Sequence, residues 1–245
     1  MSDTSTRSGL LWEVERILSE CKELGTLPQV LLMENVIQVH GDNAKDDFNR
    51  WQLMLEELGY KNYWQDLIAT DYGIPQTRNR TFMISILGDY NYTFPKPIPL
   101  KLKLKDMLED ATDGDGVDIS SRMEYHRGTV QKEKVQTLTT QCDRGVVINN
   151  INSKAKHQQD IIQDSNGNAR ALVCGTNVNG GHYTKTLMDN LRIRKLTPRE
   201  CFRLMGVKDE DFDRVKKNQS DSSLYHLAGD STVTQCLQAI FKEML

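Results

Sequence analysis

The alternation of helical and strand-like hydrophobic periods over residues 1–88 constrains the fold more than any other feature. Residues 8–23 place Leu10, Leu11, Val14, Ile17 and Leu18 at helical spacing. Leu27-Pro28 interrupts that pattern, and Val30-Leu-Leu-Met33 reads as a buried strand running into Glu34-Asn35-Val36. Phe48, Trp51, Leu55 and Leu58 return to helical spacing until Gly59 stops it. Residues 63–69 and 81–87 form two further strand-like runs. Helix, strand, helix, strand, strand is the cadence of an open α/β sheet. A turn, with no helix, separates the last two strands, so they are expected to lie antiparallel at an edge.

That turn is Asp71-Tyr-Gly-Ile-Pro-Gln-Thr-Arg-Asn-Arg80. In an extended chain alternate side chains share a face, so Gln76, Arg78 and Arg80 would form a fork of donors. Such a fork suits a phosphate, a carboxylate or a base edge. Taken alone, the same stretch fits a solvated edge strand equally well.

Beyond Gly88 the texture changes. Prolines 95, 97 and 99 favour an extended linker. From there to about residue 190 the chain is polar and rich in Gly, Asn and Asp, with short strand-like pieces such as Gly145-Val-Val-Ile148 and Ala171-Leu-Val-Cys174. A second, loop-rich domain of irregular β character is expected. Regular structure resumes at Leu196-Thr-Pro-Arg-Glu-Cys-Phe-Arg-Leu-Met-Gly206. Thr197 fits an N-cap, Pro198 the first helical position, Glu200 a capping box and Gly206 the stop. The final stretch puts Val233, Leu237, Ile240, Phe241 and Met244 on one face, which predicts a terminal helix opened by Gly229-Asp-Ser.

Composition narrows the function classes. With 38% apolar and 27% charged residues the chain is globular, and it holds no apolar run long enough to span a bilayer. The opening residues are polar and lack a signal-peptide core. Five cysteines, at 21, 142, 174, 201 and 236, are scattered without a CxxC pair, which points to reduced thiols in a cytoplasmic setting. Histidines 40, 126, 157, 182 and 226 show no ligand spacing, so no metal is expected. The net charge of −3 does not advertise a nucleic-acid partner. Locally, however, Lys185, Arg192, Arg194, Lys195, Arg199 and Arg203 outnumber Asp189 and Glu200 between residues 181 and 205. A solvated helix face explains such a run more often than DNA does.

Four blocks in this order resemble the carboxy-terminal two-thirds of DNA cytosine carbon-5 methyltransferases. They are Glu34-Asn-Val36, Gly73-Ile-Pro-Gln-Thr-Arg-Asn-Arg80, Arg194-Lys-Leu-Thr-Pro-Arg-Glu-Cys-Phe-Arg-Leu-Met-Gly206 and Ala228-Gly-Asp-Ser231. Arg7-Ser-Gly-Leu-Leu-Trp-Glu13 looks like the helix start that precedes the first block. The resemblance implies a partial Rossmann-like methyltransferase sheet with helices, plus a smaller irregular β-rich target-recognition domain. It implies the carboxy-terminal half of the catalytic domain over 1–88, a target-recognition domain and its packing motif over 89–205, and a connection and terminal helix returning to the catalytic domain over 206–245.

By the same resemblance, Glu34 acts at N3 of cytosine as an acid or hydrogen-bond donor, drawing off charge while a thiolate adds at carbon 6. Arg80 would hold the glutamate or the base, with Arg78 beside it. The target nucleotide would be swung out of duplex DNA. Gln76, Arg78, Arg194 and Arg199 are the candidate DNA-binding residues, with Arg194 and Thr197 also expected to pack the recognition domain. The loop from Cys174 to His182 suits base-edge and phosphate contacts, or is a plain surface loop. Asp230, Ser231 and Thr232 are expected near S-adenosylmethionine. Asp230 stands where the family commonly has asparagine, a charge that a helix N-terminus would tolerate.

The family's glycine-rich cofactor turn and its Pro-Cys-Gln nucleophile loop do not occur in the sequence. None of the five cysteines sits in a context that replaces the nucleophile. The expectation is therefore a methyltransferase component, a split subunit or a shortened chain, inactive alone and completed by an amino-terminal partner. The competing expectation is a non-catalytic DNA-binding module that keeps target recognition. An unrelated α/β enzyme would need another nucleophile or a metal cluster, and the histidines offer none.

Overall fold

The computed structural model describes residues 9–109, 162–164, 167–169, 172, 185–187 and 193–244. The chain divides into two compact units. One holds Met1–Leu67, Asn79–Lys96 and Ile240–Leu245, the other Ile68–Arg78 and Pro97–Ala239. These differ from the divisions expected at 88 and 205. The turn carrying Gln76 and Arg78 belongs to the second unit, and the return to the first comes at Ile240.

In the first unit, α1 (Gly9–Glu23), β1 (Val30–Val36), a 3-10 turn (Ile37–His40), α2 (Lys45–Glu57), β2 (Tyr60–Ile68) and β3 (Asn79–Leu87) follow the expected cadence. The sheet order is β1-β3-β2. β1 and β3 are antiparallel, with Val30 opposite Ile86 and Val36 opposite Arg80. Gly88 N–H donates to Gly59 O and Ala69 N–H to Arg78 O, so β2 and β3 also run antiparallel. The hairpin is thus as expected, but β3 lies in the middle of these three strands.

Alternation then sorts the faces. Leu31, Met33 and Met83 join Leu18, Phe48, Trp51, Leu55 and Tyr60 in one apolar core, so α1 and α2 cover that face. Polar strand residues on this face are satisfied. Buried Thr81 donates from Oγ1 to Asp66 Oδ1 at 2.6 Å, and Ser85 Oγ to Asn62 Oδ1 at 2.7 Å. The other face carries Val30, Leu32, Glu34 and Val36 on β1 with Arg80, Phe82, Ile84 and Ile86 on β3.

The second unit contains a 3-10 turn (Ala69–Tyr72), ended by Gly73 at φ +87°, and another 3-10 turn at Leu104–Met107. Among the described residues three short strands follow, β4 (Ile162–Asp164), β5 (Lys185–Leu187) and β6 (Ile193–Lys195). β4 pairs parallel with β5, and β5 antiparallel with β6. Helices α3 (Pro198–Leu204), α4 (Asp209–Lys216), α5 (Asp221–Asp230) and α6 (Thr234–Lys242) come after. The piece at 145–148, most of 171–174 and the loop from Cys174 to His182 lie outside the described residues.

α3 starts where its capping residues require. Thr197 Oγ1 accepts from Glu200 N–H at 3.2 Å, and Glu200 Oε2 accepts from Thr197 N–H at 2.7 Å. Gly206, at φ +76°, ends the helix. The terminal helix starts later than expected. Ser231 N–H donates to Leu227 O, so Asp230 and Ser231 finish α5 and do not open α6. α5 itself had readable signals in its Ser220 N-cap, which accepts from Ser223 N–H, and in Leu224 and Ala228 one turn apart.

Candidate functional site

Glu34 and Arg80 meet on one face of the first unit's sheet. Glu34 stands opposite Phe82 and Arg80 opposite Val36, so the two are diagonal neighbours on adjacent strands. Arg80 Nε lies 3.3 Å from Glu34 Oε1. The pair is at ion-pair distance without hydrogen-bond alignment, and buried Oε1 has no donor aligned to it among the described residues. Arg80 is itself steadied by Nη1 donating to Asn79 O at 2.8 Å. The result is a half-exposed carboxyl, steered by a guanidinium, with an acceptor left over.

The end of β1 is braced by residues the sequence did not single out. His40 Nε2 lies 3.1 Å from both carboxylate oxygens of Asp66, and Asp66 also accepts from Thr81. The His40 ring sits 4.9 Å from that of Trp64. Spacing gave no signal for this cluster, because its members come from a 3-10 turn and two strands.

Gln76 and Arg78 do not join Arg80 in a fork. β3 begins at Asn79, so a strand period does not extend back to them. Both are buried in the second unit, Gln76 at 0% exposure and Arg78 at 5%. Gln76 Nε2 donates to Leu204 O at 2.8 Å, and its Oε1 accepts from Leu172 N–H at 3.5 Å. Arg78 donates to Leu172 O at 3.1 Å and to Gly229 O and Ser231 O, each at 3.0 Å. Side chains so engaged with backbone carbonyls are not presented to a phosphate or a base edge.

Arg199, expected at DNA, is likewise engaged within the second unit. Its guanidinium contacts Glu109 at 3.0 Å, Asp213 at 2.6 Å and Asp209 at 3.7 Å, and lies 4.7 Å from the centre of the Phe212 ring. Arg203 makes two bonds to Asp209, at 2.9 and 2.7 Å, and reaches Met107 O and Leu108 O. The Arg203 pairing, first of all, holds the Asp209 carboxyl below its ordinary range. Arg199 and Arg203 of the basic run are therefore each paired with acids. Thr197 is held in place, its hydroxyl donating to Glu109 and its N–H to Glu200. Arg194 lies on β6, opposite Thr186.

At the end of α5, Ser231 N–H donates to Leu227 O, its Oγ donates to Ala228 O at 3.0 Å, and its carbonyl accepts from Arg78. Asp230 is exposed and pairs with His226 Nδ1 at 2.9 Å, one turn back. Its carboxylate therefore stands at a helix C-terminus, the end that disfavours negative charge, and not at the expected N-terminus. The adjacent imidazole offsets this when protonated. Thr232 is half-buried.

Burial pushes the Cys201 thiol well up, with Glu200 adding to the effect, and Cys236 is also buried. A suppressed thiolate is a poor nucleophile. Cys21 lies on α1, and Cys142 and Cys174 fall outside the described residues. Among the described residues no group of three or more His, Cys, Asp or Glu could hold a metal, and no helix is long and apolar enough to cross a membrane.

The fold is that of known methyltransferases. The structure of S. pombe Dnmt2 methyltransferase superposes with a TM-score of 0.66 at 17% identity, covering 98% of this chain and 72% of that one. Sequence similarity is more specific. The profile of C-5 cytosine-specific DNA methylases matches residues 2–245, and the chain belongs to that family. It is 36% identical over 250 residues to the type II methyltransferase M2.ScrFI of Lactococcus lactis subsp. cremoris, covering 100% of this chain and 60% of the relative. It is 28% identical over 250 residues to the orphan methyltransferase M.SssI of Spiroplasma monobiae, covering 98% of this chain and 59% of the relative. The chain thus spans about three-fifths of the length of these curated relatives.

Proposed function

We propose that this chain carries the base-activating and target-recognition parts of a DNA cytosine carbon-5 methyltransferase acting on a cytosine flipped from duplex DNA. The observation that carries the reading is the Glu34–Arg80 pair, 3.3 Å apart on neighbouring strands in a chain of this family. A carboxyl held at N3 of the base stabilises the charge that develops there as the ring is attacked. Arg80 aims the carboxyl, whose acid O–H donates to the N3 acceptor of cytosine. Members of the family use S-adenosylmethionine, which supplies the methyl group when bound.

Cofactor contact is assigned to Asp230, Ser231 and Thr232. The groups at this turn fit the amino-acid end of the cofactor in one respect. The Asp230 carboxylate and the remaining lone pairs of Ser231 Oγ are acceptors, suited to an ammonium group. Ser231 has already committed its N–H and its hydroxyl proton within α5. The glycine-rich turn and the thiolate come from an amino-terminal methyltransferase segment, in the same polypeptide or as a separate subunit.

The surface of β1 supports that requirement. Among the described residues β1 pairs with β3 on one side only, and Val30, Leu32 and Val36 are 38%, 37% and 43% exposed. Phe82, Ile84 and Ile86, on the same face of β3, are buried. An apolar strip along an open sheet edge invites a further strand. We assign the amino-terminal segment to it.

The test supplies the amino-terminal part of a related cytosine methyltransferase and follows tritiated methyl transfer to duplex DNA. Glu34→Gln should lower the rate by about 10²–10⁴-fold, the usual scale for losing an acid–base group. A complemented enzyme whose rate is unchanged by Glu34→Gln refutes the role given to Glu34.

A further inference from the structure

The recognition segment and the Gly229–Ser231 turn are both tied to one buried guanidinium. Arg78 donates to Leu172 O with one terminal nitrogen and to Gly229 O and Ser231 O with the other. Around it the backbone is stitched into a short parallel bridge between Gln76 and Ala169. Thr77 N–H donates to Ala169 O and Ala169 N–H to Pro75 O, both at 2.7 Å, while Leu104 N–H donates to Gly167 O at 2.9 Å. Gln76 extends the strap to the end of α3 through Leu204 O. Every one of these groups belongs to the second unit.

We propose that Arg78 is a positioning residue that locks the recognition segment, at residues 167–169 and Leu172, to the cofactor-facing turn at the end of α5, so that DNA engagement and cofactor binding are coupled. The names of the two ends rest on the function proposed above, whereas the lock itself rests on the hydrogen bonds alone. A planar guanidinium is the side chain that can hold three carbonyls from two segments at fixed angles. Lysine keeps the charge but presents a single nitrogen, and cannot span both. Because the bonds are charge-assisted and buried, their loss should open both segments together.

The primary test uses the chain itself and reads amide hydrogen exchange by mass spectrometry. Arg78→Lys should speed exchange roughly 10- to 100-fold in peptides covering 167–172 and 227–232 together, and leave α2 unchanged. Gln76→Met should loosen 167–172 and the end of α3 but spare 227–232. Acceleration confined to one of the two peptides in Arg78→Lys, or absent from both, overturns the lock. Should Arg78→Lys fail to fold, the wild-type chain in a denaturant series decides. The two peptides must then share one opening free energy and one denaturant slope, and divergent values overturn the lock.

Coupling has its own readout in the complemented enzyme. Duplex DNA should tighten S-adenosylhomocysteine binding at least about fivefold in the wild type, and S-adenosylhomocysteine should tighten DNA binding by the same factor. In Arg78→Lys each ligand should bind alone while that factor falls to near one. An unchanged factor in the variant, or none in the wild type, overturns the coupling. A wild-type complex that binds neither ligand refutes the methyltransferase reading instead, and the exchange result still stands on its own.

Discussion

Glu200 is a fully buried acid that nonetheless stabilises the second unit, and its removal gives the sharpest energetic test of the fold. Its two oxygens do different jobs. Oε2 accepts from Thr197 N–H at 2.7 Å, closing the capping box of α3, and Oε1 accepts from Glu109 N–H at 2.8 Å, ninety-one residues away in sequence. Glu109 in turn accepts a hydrogen bond from the Thr197 hydroxyl and faces Arg199. Hydrogen bonds to a charged acceptor contribute about 1.5–3 kcal/mol each, and a buried donor left without a partner adds its own desolvation cost.

Glu200→Ala removes both bonds and strands two partly buried N–H groups, so it should destabilise the unit by roughly 3–5 kcal/mol. Glu200→Gln keeps one acceptor oxygen but turns an NH₂ toward the other N–H, and should cost about half as much. Urea unfolding of the three proteins, followed by circular dichroism at neutral pH, measures both differences. The order alanine worse than glutamine follows from the two-oxygen geometry. A Glu200→Ala loss below about 1 kcal/mol, the level of an ordinary exposed cap, would refute the bridging role.

Tyr72 gives a pH test. Burial, first of all, with Cys236 and Asp71 adding, pushes its phenol up to about 12. The unfolded chain binds fewer protons than the folded one once pH passes the ordinary value near 10, so stability is full below about pH 10 and falls toward pH 12. Unfolding at pH 9 and pH 11.5 should show a loss on the order of 2 kcal/mol that Tyr72→Phe removes. Arg199→Ala should destabilise by roughly 1–2 kcal/mol, through lost ion pairs and its stacking on Phe212, while leaving the salt dependence of DNA binding unchanged. A salt slope reduced by about one would instead show a phosphate contact.

The sequence disclosed structure where a local rule acted inside one element. The capping residues placed α3 to the residue, and the apolar periods found α1, α2 and the three long strands. Failures came at element boundaries. Period-two reasoning put Gln76, Arg78 and Arg80 on one face, but β3 starts at Asn79, and only Arg80 obeys it. Asp230 and Ser231 looked like a helix opening because both are common N-caps, whereas the i to i−4 bond from Ser231 to Leu227 makes them an ending. Arg199 carried the right charge for DNA, yet acids at 109, 209 and 213 claim it. Of these partners Glu109 lies ninety residues away, beyond what linear spacing announces.

The position of Glu34 shows why the candidate site depends on the core behind it. Glu34 and Arg80 face each other only because β1 and β3 pair with Glu34 opposite Phe82. A slip of one residue would send Glu34 to the helix-covered face and bring Met33 out, since side chains alternate. The register is pinned from behind, where Leu31, Met33 and Met83 interlock with the α1 and α2 core. It is pinned again at the strand end, where Thr81 and His40 close on Asp66. Met83 and Thr81 flank the residue opposite Glu34, so packing fixes the chemistry one residue away on either side. The same sheet is covered on its helix face and left open along β1, and the open strip runs past Glu34 itself. Whatever strand completes that edge is therefore placed beside the carboxyl it must serve.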